Sequence, residues 1–346
     1  YFASIEQTGV WQAIDKAASA GPLVYLLDER DFAQDPRPES RPLGHRSLTN
    51  SRSLSRIAVS ELRLAVEQAD GPLDPQIVDR WLTRIACLCS LAEADGSLIG
   101  YLVGDAVRTW AVDELTSLIA DGNLPPDVAQ AALRCLSAKF VIKPPEAILA
   151  NLTAEKSAGL ISLGLQMRDP TGRAQLASLF DPPDPRESDP SMELACKLLS
   201  PAYSSHARSL TMLPVVSRGH FLSTATAIRQ YLFAARETAT QFNGVKLLLA
   251  LEVFKSKNGD YPQSLADLVP AILPELPPDV ASGAPWVYRR EKLPHQPDAK
   301  FTLYSIGVDG TDNGGNPPLY RTDPLRSTRL GQGTDYHVQA KRPDLR

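Results

Sequence analysis

Apolar positions recur at helical spacing over most of the chain. Ile228, Tyr231, Leu232, Ala235, Ala239, Phe242, Val245, Leu249 and Val253 hold one face for about seven turns of 3.6 residues. A long helix is therefore expected from about His220 to Asn258. Gly259 accepts the left-handed conformation that closes a helix, and Pro262 blocks a restart. A short helix or turn over 264–269 follows, then a proline-rich descent, and the remainder of the module reads as strands.

The first half predicts helices too. Ile5, Val10, Trp11 and Ile14 mark a short one within 1–20, ended by Gly21-Pro22. The apolar run 23–27 suits a strand or a segment lying along a core, and 28–50 is polar and proline-broken, hence loop. Leu54, Ile57, Ala58, Leu62 and Ala65 begin the next helix, with Ser51 or Ser53 as a cap. Asp74-Pro75 opens another, combining a capping carboxylate with proline where the missing N–H costs nothing; its apolar face is Val78, Trp81, Leu82, Ile85 and Cys89. A third takes Leu98, Leu102, Ala106, Trp110 and Leu118, and Pro125-Pro126-Asp127 starts a fourth, ending near Lys143. The openings Gly71-x-Leu73-x-Pro75 and Gly122-x-Leu124-x-Pro126, each with a leucine seven residues later, hint at two related helical hairpins. Helical spacing continues over 146–167 and 192–199, around a proline-rich stretch at 181–190.

A chain of 346 residues predicts two or three domains. The pattern divides it into an N-terminal extension (1–50), an α-helical domain (51–219) and a small α+β module (220–346), a mainly α fold ending in one long helix plus a short antiparallel sheet. The net charge of −4 supplies no electrostatic footprint for nucleic acid. No window reaches the ~20 apolar residues that span a bilayer. The chain opens at Tyr1 without methionine, and the expectation is of a preceding piece that could carry a targeting segment or membrane anchor. Cys87, Cys89, Cys135 and Cys196 lack zinc spacing. They read as buried thiols, with a disulfide from Cys135 to Cys87 or Cys89 as the alternative if the hairpins stack. The five histidines are scattered, and no nucleophile elbow, phosphate loop or dinucleotide fingerprint is present. Asp105, Arg108, Asp113 and Glu114 suit a solvated, salt-bridged helix face.

The C-terminal stretch carries a resemblance. A long helix ending in Asn258-Gly259-x-Tyr261-Pro262, the segment Ser264-Leu265-x-x-Leu268, the turn Leu276-Pro277-Pro278-Asp279, the strand pattern Gly283-x-Pro285-x-x-Tyr288, and Leu303-Tyr304-Ser305-Ile306-Gly307-Val308-Asp309-Gly310 follow in order. Together they are similar to the globular domain of the major pseudopilin of type II secretion, over roughly a quarter of the chain. The chain departs from that family where a pseudopilin has its apolar N-terminal membrane helix: here an amphipathic helix stands in that place, preceded by the whole helical half. The helical half in turn resembles poorly characterised bacterial envelope proteins that pair such helices with this module.

One stretch concentrates metal-binding chemistry. Gly307-Val308-Asp309-Gly310-Thr311-Asp312-Asn313-Gly314-Gly315 sets hard oxygen donors on a glycine-rich backbone, and calcium takes roughly six to eight such oxygens in a flexible loop. It is not an EF-hand, because Tyr320 would occupy the twelfth position. The resemblance implies Asp309 as one calcium ligand and, from the acidic pair before the final strand, Asp335, with Thr334 replacing the other member. Asp312 and Asn313 are further donors that this sequence supplies. The alternative is a glycine-rich turn whose Asp and Asn side chains bond to their own backbone. The implied function is non-enzymatic structural or interaction work in a bacterial cell envelope, periplasmic or extracellular, with a protein partner or self-assembly. The rivals are a soluble, cytoplasmic helical adaptor and an enzyme with a site split over distant loops.

Overall fold

The computed structural model describes residues 7–20, 44–68, 73–94, 98–120, 124–140, 214–290, 301–307, 310–315 and 336–337. They form a mainly helical protein with a small antiparallel sheet. The helices are α1 (Val10–Ala20), α2 (Gly44–Glu67), α3 (Pro75–Glu93), α4 (Leu98–Ala120), α5 (Pro126–Lys139) and α6 (Pro214–Asn258). A 3₁₀ turn (Leu265–Leu268) and the strands β1 (Val287–Arg289), β2 (Thr302–Ser305) and β3 (Tyr336–His337) complete the order. None of the described helices is long and apolar enough to cross a membrane. The segments expected at 23–27, 146–167, 181–190 and 192–199 lie outside the described residues, as does Cys196.

The chain forms two compact units. The larger gathers Tyr1–Asp95, Val103–Ile142 and Arg236–Arg346; the other takes Gly96–Leu102 with Lys143–Ala235, where the Tyr101 and Tyr231 rings lie 6.1 Å apart. In the larger unit α3 packs against α1, α2 and α5. Its start is the expected one, for the Asp74 carboxylate accepts from Gln76 N at 2.8 Å and Pro75 is the first helical residue. Arg84 fixes α1 by a two-pronged contact to Asp15 at 2.9 and 2.8 Å while its guanidinium lies 4.8 Å from the centre of the Trp11 ring.

Two expectations are corrected and one is upheld over its alternative. Helix α2 begins at Gly44, so 44–50 is helical and Ser51 is not a cap: it is buried inside the helix, its carbonyl accepting from Ser55 Oγ at 2.7 Å. On α4 the inward face is not the one marked by Leu102, Ala106 and Trp110. Leu102 is 42% exposed, whereas Gly104, Val107, Arg108, Ala111, Leu115 and Leu118 are buried. Trp110 is only partly buried, beneath the Arg52 and Arg56 guanidinium groups. The cysteines among the described residues are the buried thiols expected, not the alternative disulfide: Cys87, Cys89 and Cys135 are free and turned toward three different carbonyls, those of Ile14, Gly104 and Asp79. The adjacency of α3 and α5 that motivated the disulfide is nevertheless present, and Lys139 reaches Asp79 across it.

Helix α6 starts at Pro214, earlier than expected, and its last half is the centre of the larger unit. Every position from Thr238 to Leu251 except Lys246 is buried, so a helix expected to have one apolar stripe is enclosed on all sides there. The rings of Phe242 and Phe140 meet at 5.2 Å, joining α6 to the end of α5 in one continuous apolar core. Gly259, at φ +83°, ends the helix and donates to Lys255 O at 2.8 Å. Beyond it the chain folds back over the helix. Ser264 and Asp267 form a reciprocal capping box on the 3₁₀ turn, and β2, central in the order β1-β2-β3, is buried along its whole length. The register pairs Val287 with Tyr304, Arg289 with Thr302, and Ser305 with Tyr336.

The polar residues of the enclosed helix fasten this return. Thr240 Oγ1 accepts from Ala281 N at 2.8 Å and donates to the buried Asp279 carboxylate at 3.4 Å, while Asn243 donates to Pro278 O at 2.8 Å. Asp279 also accepts from Ala281 N, Ser282 N and Ser282 Oγ. Thr240→Val keeps the shape but removes the nearer of the two acceptors of the Ala281 amide, at 2.8 Å against 3.1 Å for Asp279 Oδ1, and the hydroxyl's own bond to Asp279; a hydrogen bond of this kind contributes about 0.5–1.5 kcal/mol net. Urea unfolding of this variant is expected to show a loss of that size with an unchanged slope; a loss below about 0.5 kcal/mol would mean that apolar contacts alone hold the loop.

Candidate functional site

The glycine-rich loop leaves the central strand at Ser305. Gly307, Gly310, Gly314 and Gly315 all have positive φ, and Gly310 N donates to Gly307 O at 3.3 Å. Asp312 is held at once from two directions. Its Oδ1 accepts from Gly314 N at 2.8 Å, closing an Asx turn, and from the Tyr304 hydroxyl at 2.9 Å. Tyr304 is fully buried in β2, so Asp312 supplies the acceptor that a buried phenol requires. Its other oxygen, Oδ2, lies 3.8 Å from Arg289 Nη2 at the end of β1. Asn313 turns its side-chain amide to Thr311 O at 3.0 Å.

Both described members of the expected calcium set therefore have backbone partners inside the turn. Asp309 and Asp335 lie outside the described residues. The pairing of β3 beside β2 that the expected site requires is present, with Tyr336, the neighbour of Asp335 in the chain, opposite Ser305. Among the described residues, no three His, Cys, Asp or Glu side chains converge where an ion could sit. A cation held by Asp312 would share the carboxylate with the Arg289 guanidinium.

A groove of about 460 Å³ opens on the same module. The capping-box turn contributes Ser264 and Leu265, the descent Leu276 and Pro277, and the approach to β1 Pro285 and Trp286. Its aromatic polar atoms are bonded within the fold: Trp286 Nε1 donates to Pro277 O and the Tyr288 hydroxyl to Pro262 O, both at 2.9 Å. What the groove offers outward is mainly apolar, including Leu276, which is 37% exposed.

The densest charge in the helical half is not solvated as expected. Arg108 and Glu93 are buried and form an ion pair, and Arg108 Nη1 also meets Asp105 Oδ1 at 2.9 Å. Glu114 is buried as well and accepts from Arg63 Nε at 2.6 Å. The signal lay in spacing: Gly104, Arg108, Ala111, Leu115 and Leu118 repeat every three or four residues and include the arginine, just as Glu93 continues the buried face of Leu82, Ile85 and Cys89. Gly104 makes room for this arrangement, since a Cβ there would stand 2.6 Å from Glu93 Oε1.

Asp312 separates two roles cleanly. With calcium absent, Asp312→Ala removes the acceptor of a buried tyrosine and the Asx turn, and chemical denaturation is expected to report a loss of about 1–3 kcal/mol. Asp312→Asn retains the turn acceptor and should recover part of it. Equal stability of wild type and the alanine variant without calcium would assign the carboxylate a role other than holding the turn.

Comparison with protein-family models, curated proteins and solved structures gives no match.

Proposed function

We propose that the chain is a non-enzymatic structural or interaction protein of a bacterial cell envelope, in which a pseudopilin-like module is carried on a helical half. The observation that supports this reading is how the motif residues of the module are used. Gly259 ends α6, Ser264 caps the 3₁₀ turn, Asp279 anchors the return to Thr240, and Tyr288 bonds back to Pro262. Their polar groups serve to hold one shape, and the outer side of that shape presents the apolar groove around Leu276 and Trp286. A rigid module with an apolar groove suits protein recognition, where packing and shape matter more than bond-making chemistry. Affinity capture from bacterial envelope extracts should retrieve a protein with wild type and lose it with Leu276→Glu. Capture indifferent to that substitution would place recognition elsewhere.

Calcium belongs to this proposal as a brace for the glycine-rich loop, with Asp309 and Asp335 as its ligands and Asp312 and Asn313 as further donors. Calcium that binds only the folded loop, at ~100 times its dissociation constant, adds roughly 2.7 kcal/mol to stability. Magnesium, which demands a tight octahedron and gives up water reluctantly, should do much less. Asp309→Ala should abolish the calcium-dependent rise in melting temperature and leave the metal-free value nearly unchanged. A melting temperature indifferent to millimolar calcium and to chelator would leave the loop as a self-bonded turn.

A further inference from the structure

Two positive charges stand together on the outer face of α2. Arg52 and Arg56 are one turn apart on the helix, which sets their side chains next to each other, and both are exposed. Each guanidinium lies over the ring of Trp110 on α4, its carbon 5.9 Å from the ring centre for Arg52 and 5.2 Å for Arg56. One indole thus holds both. Arg63, about three turns beyond Arg52 on the same face, is neutralised instead: the buried Glu114 carboxylate accepts from its Nε at 2.6 Å. Among the described residues no carboxylate comes within ion-pair distance of Arg52 or Arg56.

The pair has a cost that the helix does not require. Like charges at this spacing repel, and gathering both over one ring keeps them close. Trp110 offsets the repulsion by offering each cation its π system. It also restrains two long side chains, so a ligand that needs both has less freedom to remove on binding. The net charge of −4 is no obstacle, since at physiological salt a charge is felt over about 8 Å.

What completes such a pair is an anion with more than one charge and several oxygens. A carboxylate has a single charge and two oxygens in one plane, which one guanidinium fork already satisfies. A phosphate group carries about −1.5 to −2 at pH 7 and three acceptor oxygens, so it can meet Arg52 and Arg56 at once and balance both. We propose that Arg52 and Arg56, braced by Trp110, form a binding site for a phosphate group, presented as soluble phosphate or as a lipid headgroup. None of the three residues belongs to the groove or to the glycine-rich loop, so the site stands independently of the function proposed above.

The experiment follows the arginine Nε–Hε NMR signals of the full chain through a titration with inorganic phosphate, against chloride at matched ionic strength. Arg52 and Arg56 should shift together and saturate, while Arg134, an exposed arginine on α5, should not. Arg52→Gln is expected to weaken binding about tenfold, the effect of losing one hydrogen bond to a charged group, and Arg56→Gln should do the same. Arg134→Gln removes an equal charge from the surface and should leave the affinity unchanged. Trp110→Leu keeps both arginines and should also weaken phosphate; should it fail to fold, the glutamine variants at exposed positions carry the test. A second arm measures co-sedimentation with phosphatidylcholine vesicles, with and without phosphatidic acid. Sedimentation that needs phosphatidic acid and is lost when both arginines become glutamine assigns the site to a lipid headgroup. Saturable binding of inorganic phosphate without sedimentation assigns it to soluble phosphate. Two results would overturn the site: no saturable shift together with no dependence on phosphatidic acid, or a weakening by Arg134→Gln equal to that by Arg52→Gln.

Discussion

A helix buried on every side imposes demands on whatever surrounds it, and α6 from Thr238 to Leu251 is such a helix. Each large apolar side chain it removes from water contributes about 1.5–3 kcal/mol, which favours enclosure only if something covers every face. Phe140 and the core of the helical half supply part of the cover; the 3₁₀ turn and β2 supply more through Leu265, Leu268, Phe301 and Leu303. Enclosure also traps polar groups. Thr240 and Asn243 would be costly in a dry core, yet they receive and hold the proline-rich return at Pro278, Asp279 and Ala281. The chain after Gly259 is therefore a lid for the helix as much as an independent module. It joins the same compact unit as the helical half because neither could bury its share of α6 alone.

The same demand explains what could be read from the sequence. Termini were legible because they follow local rules: Asp74-Pro75, Pro126 and Gly259 act through one or two backbone groups and need no distant partner. The direction each helix faces was legible where its apolar residues stood on one side, as with Val78, Trp81, Leu82 and Ile85 on α3. It failed on α4 because Leu102 and Trp110 outweigh Gly104 and Arg108 on any hydrophobicity count. What turns that helix is a buried ion cluster formed with Glu93, a residue on a different helix, and the α4 spacing that marks the inward face runs through a glycine and an arginine that no hydrophobicity count selects. The stretch 44–50 misled for a simpler reason: Gly, Ser, Thr and Asn favour loops, turns and caps locally, but α2 includes Gly44, Ser47, Thr49 and Asn50 at its start.

The candidate loop was legible in its chemistry and only partly in its use. Glycines at four positions predicted a tight backbone, and all four adopt positive φ. Asp312 was singled out as an oxygen donor, and it is one, toward Gly314 N and the Tyr304 hydroxyl. A carboxylate and a nearby backbone amide can be recognised in sequence at a separation of two. A buried tyrosine that needs the same oxygen cannot, because its burial depends on β2 lying between β1 and β3.

Arg108 and its two carboxylates add a constraint of another kind. Removing charges from water costs several kcal/mol per ion, and pairing in a buried site often does no better than apolar packing of the same volume. Stability alone is thus a poor reason for three ionisable groups in a hairpin whose core otherwise consists of Leu82, Ile85, Leu88 and Leu115. Such a cluster does one thing that leucines cannot. It fixes register, since Arg108 reaches Glu93 only when Gly104 lies against that carboxylate.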